Sequence, residues 1–310
     1  MIIPWPPTCL LPVFILSFRM RKNRTVIVLL VFVFFSVMVF GQEEKKQSAE
    51  KEEEEEKIGE VRKKDPFLKA LWQDEKKILT SPFRIKAKDL LKWGGIALLT
   101  GVMIHNDEAI YRSFKDYQEE HQWVDKVSPT FSRMSEGYPY GAAGLFWLYG
   151  AVFKDGKAKE TGELALQAMI HSFVVVQLVK HLTGRTRPSE FDGQDRWAGP
   201  SGFFKRYQEN QWAKHDAFFS GHTITIWALA TVVAHQYNDG FLVPFACYSL
   251  ATLGGLATIT EDLHWISDVF LGAVLGYAIA RFVVKKRSSR FQVMPILQPD
   301  KMGLSFYYVF

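Results

Sequence analysis

Three short stretches of the sequence place chemically active residues beside apolar segments. One of them, LATITEDLHWISDVFLG at residues 256–272, carries His264 and Asp268 four positions apart. On a helix these positions share a face, so we expect the carboxylate to lie beside the imidazole, fix its tautomer and raise its basicity. The spacing therefore predicts a histidine prepared for nucleophilic or proton-transfer chemistry.

The second stretch, KHLTGRTRP, supplies cations at the end of an apolar segment. It contains Lys180, Arg185 and Arg187 and is closed by Pro188. Cations at a helix C-terminus often only complement the helix dipole or anchor the helix at a membrane surface. A binding role therefore depends on what else lies nearby.

The third stretch, FFSGHT, begins the next apolar segment with Ser220, Gly221 and His222. Backbone N–H groups at a helix N-terminus, together with a hydroxyl and a small residue, form an anion-binding site. A lone histidine in such a position is more commonly a hydrogen-bonded core residue. Each stretch is thus a weak signal by itself.

Together, the three stretches resemble the type 2 phosphatidic acid phosphatase superfamily, which also holds bacterial class A acid phosphatases and vanadium haloperoxidases. The family pattern is Lys-x6-Arg-Pro, then Pro-Ser-Gly-His, then Ser-Arg-x5-His-x3-Asp. The resemblance covers roughly residues 90–284, with the motifs in family order and at segment boundaries. It implies a helical phosphatase in which side-chain cations hold the phosphate and neither metal nor other cofactor is required.

The resemblance also implies a role for each matching residue. His264 would be the nucleophile that forms a phosphohistidine, and Asp268 would orient and activate it. His222 would protonate the leaving alkoxide and then activate water. The phosphoryl oxygens would be held by Lys180, Arg187, Ser220 and the backbone N–H of Gly221. A zinc site built from the two histidines and Asp268 is the alternative, but these residues lack a compact zinc-binding motif.

Two positions depart from the family pattern. Phe219 stands where the family has proline, and the Ser-Arg pair falls on Ala257 and Thr258. Threonine supplies neither charge nor a planar fork of donors, and losing a comparable donor costs ~3–4 kcal/mol in the transition state. Arg185 is a possible compensating cation.

The predicted function is removal of phosphate from a lipid phosphate or a similar phosphomonoester or pyrophosphate at a membrane. The alternative is a catalytically impaired relative that binds phosphate or a lipid headgroup, because Thr258 replaces the expected arginine. A vanadate-dependent haloperoxidase is disfavoured, since its site also depends on the missing cation.

Composition favours a membrane-associated helical protein. Of the 310 residues, 48% are hydrophobic and 15% aromatic, and the net charge of +5 is dispersed rather than gathered into a nucleic-acid-binding stripe. The two cysteines, Cys9 and Cys247, are far apart in sequence and cannot build a disulfide framework. The expected partners are a lipid phosphate and the bilayer, with no nucleic acid, and the oligomeric state is not predicted.

The N-terminal third divides into three parts. Residues 1–41 read as a signal peptide or signal anchor, with Met20 a possible true start, because a basic MRKNR precedes an apolar run. Residues 42–65 are a charged linker that lacks the apolar surface to fold alone. Residues 66–89 carry apolar side chains at helical spacing, which indicates an amphipathic segment.

Six apolar segments follow, and none alternates with the period of a strand. They predict an all-α, six-helix membrane-associated bundle over residues 90–284, with a soluble bundle as the alternative. The segments are 90–104, 138–153, 164–182, 218–234, 241–259 and 265–284. A C-terminal tail, residues 285–310, ends in an apolar and aromatic stretch suggestive of a short strand.

The basic residues after the last segment predict the topology. Lys285, Lys286, Arg287 and Arg290 place that end in the cytoplasm and the site on the outer side of the inner membrane, in the cell envelope. A cleaved or anchoring signal at Met20 would carry the charged linker outside. Both hold only if one segment does not span or the amphipathic region crosses, and the sequence leaves that choice open.

Overall fold

The computed structural model describes residues 67–193, 196–202, 205, 214–288, 292–298 and 301–307. The signal segment expected at 1–41 and the linker expected at 42–65 lie outside the described residues. The helices are α1 (Phe67–Leu79), α2 (Ala87–Glu120), α3 (Trp123–Met134), α4 (Tyr138–Val152), α5 (Gly156–Thr183), α6 (Gly221–Gln236), α7 (Leu242–Thr260) and α8 (Ile266–Ser288). An antiparallel hairpin of β1 (Gln292–Gln298) and β2 (Lys301–Tyr307) follows them.

Each of the six predicted apolar segments overlaps one helix, in the order α2, α4, α5, α6, α7 and α8. The predicted amphipathic segment is interrupted, because α1 ends at Leu79 and a 3-10 turn, Ser81–Arg84, precedes α2. Helix α3 was not predicted as a separate element. It buries Val124, Ser128 and Ser132, which lie four residues apart on one face. The bundle is thus helical, but it contains more helices than the six predicted segments.

Three helices among the described residues are long and apolar enough to cross a membrane. They are α5, α7 and the Ile266–Lys286 part of α8. Helices α4 and α6, with 15 and 16 residues, fall short of the ~20 residues that a span requires. Helices α4, α5 and α7 carry exposed apolar side chains that are suited to lipid; they include Leu145, Trp147, Leu148, Leu166, Phe173, Leu178, Leu242, Leu250 and Leu253. The three long apolar helices and these exposed side chains indicate a membrane protein.

Helices α6 and α8 approach each other closely at two glycines of α8. A Cβ at Gly272 would lie 2.9 Å from the carbonyl oxygen of Ser220, and one at Gly276 would lie 2.5 Å from that of Ile224. Small residues four apart allow helix backbones to meet in this way. The contact holds the beginnings of α6 and α8 in a fixed relation, and both predicted histidine motifs lie there.

Helix α1 is attached to the bundle by buried polar contacts. Glu75 Oε2 lies 2.6 Å from His171 Nδ1 on α5. Asp74 accepts a hydrogen bond from Gln167 at 3.1 Å and pairs with Lys286 near the end of α8. Because Lys286 follows Asp268 by eighteen helical positions, this attachment lies about 27 Å from the first turn of α8.

We predict that Gly276→Ala destabilises the bundle. The added methyl group meets backbone that cannot move without separating α6 from α8, and such overpacking costs about 1–3 kcal/mol. Thermal unfolding in detergent measures the effect. Gly101→Ala is the matched control, because a Cβ at this exposed position of α2 meets nothing within 4 Å. Equal unfolding temperatures for the two variants would contradict the role of this contact.

Candidate active site

The predicted site residues come together at one end of the bundle, where three helix ends converge. His222 Nδ1 in the first turn of α6 lies 3.2 Å from His264 Nε2, just before α8. Lys180, near the end of α5, places its Nζ 3.8 Å from the position of a Cβ on Gly221. The backbone N–H of Ser220 donates to the carbonyl of Asp268 at 3.1 Å. The structure thus joins all three sequence motifs.

Gly184 turns the chain sharply at the end of α5. Its φ of 53° is in the left-handed region, and its N–H donates to the carbonyl of Lys180 at 2.9 Å. A Cβ there would lie 2.3 Å from the carbonyl oxygen of Gly199, so the position has room only for glycine. The turn brings Arg185 and Arg187 back toward the bundle.

Ser220 is the N-cap of α6. Its Oγ accepts a hydrogen bond from the backbone N–H of Thr223 at 3.1 Å, and Thr223 Oγ1 lies 2.9 Å from it. The first N–H groups of a helix have no partner within that helix and carry its positive dipole end. The cap therefore presents the beginning of α6, at Gly221 and His222, as a site suited to an anion.

The His264 imidazole is fully buried and is oriented chiefly by a backbone carbonyl. Its Nδ1 lies 2.9 Å from the carbonyl oxygen of Ala217, whereas Asp268 Oδ2 is 3.9 Å away. The network assigns the proton to Nδ1, which donates to Ala217 and leaves the Nε2 lone pair directed at His222. The i, i+4 spacing does place Asp268 beside the ring, but the nearer hydrogen bond is to Ala217.

Asp268 belongs to a buried ionic network with Arg185. The Arg185 guanidinium, which is fully buried, donates to Asp268 Oδ1, to Asp107 Oδ2 on α2 and, at 2.8 Å, to Ser267 Oγ. Asp268 Oδ2 accepts from the backbone N–H of Trp265 at 2.8 Å. The side chain of Arg185, the possible compensating cation, is thus paired with two buried carboxylates.

Thr258 acts through its main chain. Its hydroxyl donates to the carbonyl of Gly255 within α7 at 2.6 Å. Its carbonyl accepts from the N–H groups of Leu263 and His264 at 2.9 and 3.2 Å. The residue at the family's arginine position therefore supports the loop that carries His264.

Lys180 and Arg187 both face the carboxylate of Asp216. Lys180 Nζ donates to Oδ2 at 3.3 Å, and Arg187 donates to Oδ1 through Nε at 2.9 Å and Nη2 at 2.6 Å. Their side chains are only 8% and 15% exposed, so they are poorly screened by water. The two cations expected to hold phosphate thus share one anionic partner.

The local electrostatics keep both histidines neutral. Burial first, and then the charges of Lys180 and Arg187, lower the pKa of His222 to about 4, while Asp216 acts in the opposite direction. Burial also lowers the pKa of His264 well below its ordinary value, and the charges of His222, Lys180 and Arg187 add to the effect. A neutral imidazole with an unprotonated Nε2 is the form that attacks an electrophile.

Several residues of this site were not predicted from the sequence. Asp107, Asp216 and the Ala217 carbonyl are described above, and Glu136 Oε1 lies 3.7 Å from His222 Nε2. Asp216 lies six residues before His222, so its proximity to a motif was the one available signal. Among the described residues no cluster of three or more histidine, cysteine or acidic side chains has the geometry of a metal site.

Comparison with known proteins finds a family match over part of the chain. Residues 164–292 match the profile of the PAP2 superfamily. The resemblance predicted from the motifs is thereby confirmed. The PAP2 region begins within α5 and includes the three motifs, so it contains every predicted site residue.

A curated relative is the lipid A 1-phosphatase of Porphyromonas gingivalis, 36% identical over 67 residues, or 21% of this chain. The match spans only 15% of that protein's length. Two solved PAP2 structures are similar. Aquifex aeolicus LpxE matches with a TM-score of 0.44, 19% identity and coverage of 58% of this chain and 94% of its own. A PAP2-type phosphatidylglycerolphosphate phosphatase from Bacillus subtilis matches with a TM-score of 0.48, 16% identity and coverage of 66% and 97%.

We predict that inorganic phosphate raises the pKa of His222. Burial and, after it, the charges of Lys180 and Arg187 hold this pKa near 4, and a dianion beside the two cations offsets their charges and favours the imidazolium. Titration of 13C-labelled histidines by NMR, with His222→Gln to assign the signal, measures the change. The resonances of His105, exposed on α2, are the internal control. A His222 titration curve that phosphate does not move would contradict a phosphate site beside it.

We also predict that Arg185 and Arg187 contribute differently to stability. Arg185→Met leaves Asp107 and Asp268 buried without their cation, which costs about 3–5 kcal/mol. Arg187→Met uncouples a partly exposed residue from Asp216, so the loss of unfolding free energy is smaller. Thermal unfolding of the two variants in the same detergent tests the difference, and equal losses would contradict it.

Proposed function

We propose that the protein is a membrane phosphatase that removes phosphate from a lipid phosphate, or from a similar phosphomonoester or pyrophosphate, through a phosphohistidine and without a metal. The observation that carries the proposal is the direct contact of His222 with His264 beside Lys180 and Arg187. A neutral nucleophile, a second proton-transfer group and two cations at a helix N-terminus are the parts that phosphoryl transfer needs.

In the first step, the Nε2 lone pair of His264 attacks phosphorus, and the bond from phosphorus to the lipid oxygen breaks. The Ala217 carbonyl accepts a hydrogen bond from Nδ1–H and so stabilises the positive charge that develops on the ring. His222, protonated when the anionic group binds, gives its proton to the leaving alkoxide. The Asp268 carboxylate, 3.9 Å from Nδ1, adds electrostatic support.

In the second step, neutral His222 removes a proton from water, and the hydroxide attacks phosphorus. The bond from His264 Nε2 to phosphorus breaks, and inorganic phosphate leaves. Lys180, Arg187, the Ser220 hydroxyl and the Gly221 N–H hold the phosphoryl oxygens in both steps. Glu136 Oε1 lies 3.7 Å from His222 Nε2, which is within ion-pair distance of the ring when it is protonated.

The proposed location is the inner membrane of a cell envelope, with the site on the outer side. Support comes from α8, which begins at the site and ends about 30 Å away near Lys285 and Lys286. In the sequence, Arg287 and Arg290 add to these basic residues, which favour a cytoplasmic end. Six helices, α2 and α4–α8, form the proposed membrane-associated bundle, and α1 and α3 pack against it. The site then lies at headgroup level, where a lipid phosphate is accessible.

A specific observation favours a second candidate, a relative that binds phosphate or a lipid headgroup with little turnover. The Thr258 hydroxyl is bonded within α7, and Arg185 is bonded to Asp107 and Asp268. Neither residue therefore supplies the third cation of the family pattern. In this candidate the lipid phosphate binds, but the transition state is poorly stabilised.

Phosphate release from a panel of lipid phosphates tests the proposal. The panel contains phosphatidate, phosphatidylglycerol phosphate, a polyprenyl pyrophosphate and lipid A, the last because of the relative from Porphyromonas gingivalis. We expect turnover of at least one lipid by the wild type and a loss of about a thousandfold or more in His264→Ala. Protein incubated with 32P-labelled substrate and quenched in alkaline detergent should carry a phosphohistidine, whose label is stable in alkali and is lost in acid.

Turnover by the wild type separates the two candidates. Thr258→Arg, checked for folding by thermal unfolding because position 258 is fully buried, tests whether the missing arginine limits turnover. Turnover by the wild type supports the phosphatase. Binding without release by the wild type, with or without gain in Thr258→Arg, supports the second candidate. If the protein neither binds any lipid phosphate nor releases phosphate from one, both candidates are overturned.

A further inference from the structure

Asp216 occupies the position between the two cations expected to hold phosphate. Each of its carboxylate oxygens accepts from a different cation, Oδ1 from Arg187 and Oδ2 from Lys180. A carboxylate and a phosphoryl group present similar oxygens to an arginine fork and an ammonium group. The same donors therefore serve Asp216 in this structure and the phosphoryl group in the proposed reaction.

The backbone fixes Asp216 beside Arg187. The N–H of Arg187 donates to the carbonyl of Lys214 at 3.1 Å, and the N–H of Ala217 donates to the carbonyl of Arg185 at 2.9 Å. These two bonds hold residues 185–187 alongside residues 214–217. The carboxylate is thus built into the site rather than carried by a freely moving side chain.

The carboxylate changes the charge that an incoming anion meets. Lys180 and Arg187 carry two positive charges, and Asp216 adds one negative charge, so the three side chains together carry a net charge of +1. The Asp216 side chain is 15% exposed, so this charge is weakly screened. Its influence extends to His222, whose pKa it raises against the two cations.

We propose that Asp216 is a specificity-determining residue whose carboxylate competes with phosphate for Lys180 and Arg187. This inference rests on the proposed function of the same site. A substrate has additional contacts through its lipid part, whereas inorganic phosphate depends on the phosphate-binding groups alone, and two of these are the cations paired with Asp216. The competition therefore weakens the binding of released phosphate more than that of the lipid, so the site favours esters over their inorganic product.

Removing the negative charge of Asp216 tests the proposal, because it shows whether the affinity for inorganic phosphate rises or falls. In Asp216→Asn, which keeps the shape of the side chain, we expect the dissociation constant for inorganic phosphate to fall by about tenfold or more. Isothermal titration calorimetry of the detergent-solubilised full-length chain measures it. In the turnover assay, the inhibition constant for phosphate should fall by more than the KM for the lipid substrate.

The alternative role for Asp216, holding Lys180 and Arg187 in position, predicts the opposite sign. An unchanged or weaker affinity for phosphate in Asp216→Asn would overturn the proposal. Asp216→Ser is measured in parallel, with thermal unfolding, so that a folding defect of one variant does not decide the result. Glu190→Gln is the matched control, because it removes an exposed carboxylate three residues after Arg187 and should leave the phosphate affinity unchanged.

The binding and turnover experiments distinguish failure of the Asp216 proposal from failure of the proposed hydrolysis. Tighter phosphate binding by Asp216→Asn without release from any lipid would support the competition and overturn the proposed hydrolysis. Release from a lipid with no gain in phosphate affinity would support the hydrolysis and overturn the role of Asp216.

Discussion

The site depends on a buried arginine held between two carboxylates. Arg185 follows α5, Asp107 lies on α2, and Asp268 lies in the first turn of α8, so one guanidinium connects three separate parts of the chain. A fully buried charge is tolerated only with such partners. By fixing the chain after α5 against the start of α8, the network sets the position of Arg187 relative to His264.

The segment before α6 supports both histidines. It carries the Ala217 carbonyl that orients His264, the Ser220 cap that begins the helix, and His222 itself. Because Asp268 is engaged by Arg185 and by the Trp265 N–H, the imidazole takes its orientation from this segment instead. The glycine contacts between α6 and α8 keep the two rings within hydrogen-bonding distance. The chemistry of each histidine therefore depends on how two helices pack.

Much of the fold was predictable from local patterns. Apolar runs bounded by polar residues located six of the helices, because burial in a core or in lipid imposes that composition over a whole helix. Helix α3 was missed, since alternation of buried and charged faces over 12 residues looks like a polar loop. The break between α1 and α2 was missed because both halves carry helical spacing.

The sequence by itself determined the motif residues, including Lys180, His222 and His264, because their residue types and spacing at segment ends are unusual. It also determined that Thr258 departs from the family pattern. Only the tertiary structure decided that Arg185 pairs with Asp107, 78 residues away, and that a backbone carbonyl orients His264. The spacing of residues along the sequence predicts neighbours within a few helical turns. A long-range ion pair or a backbone hydrogen bond produces no recognisable pattern of residue types in the sequence.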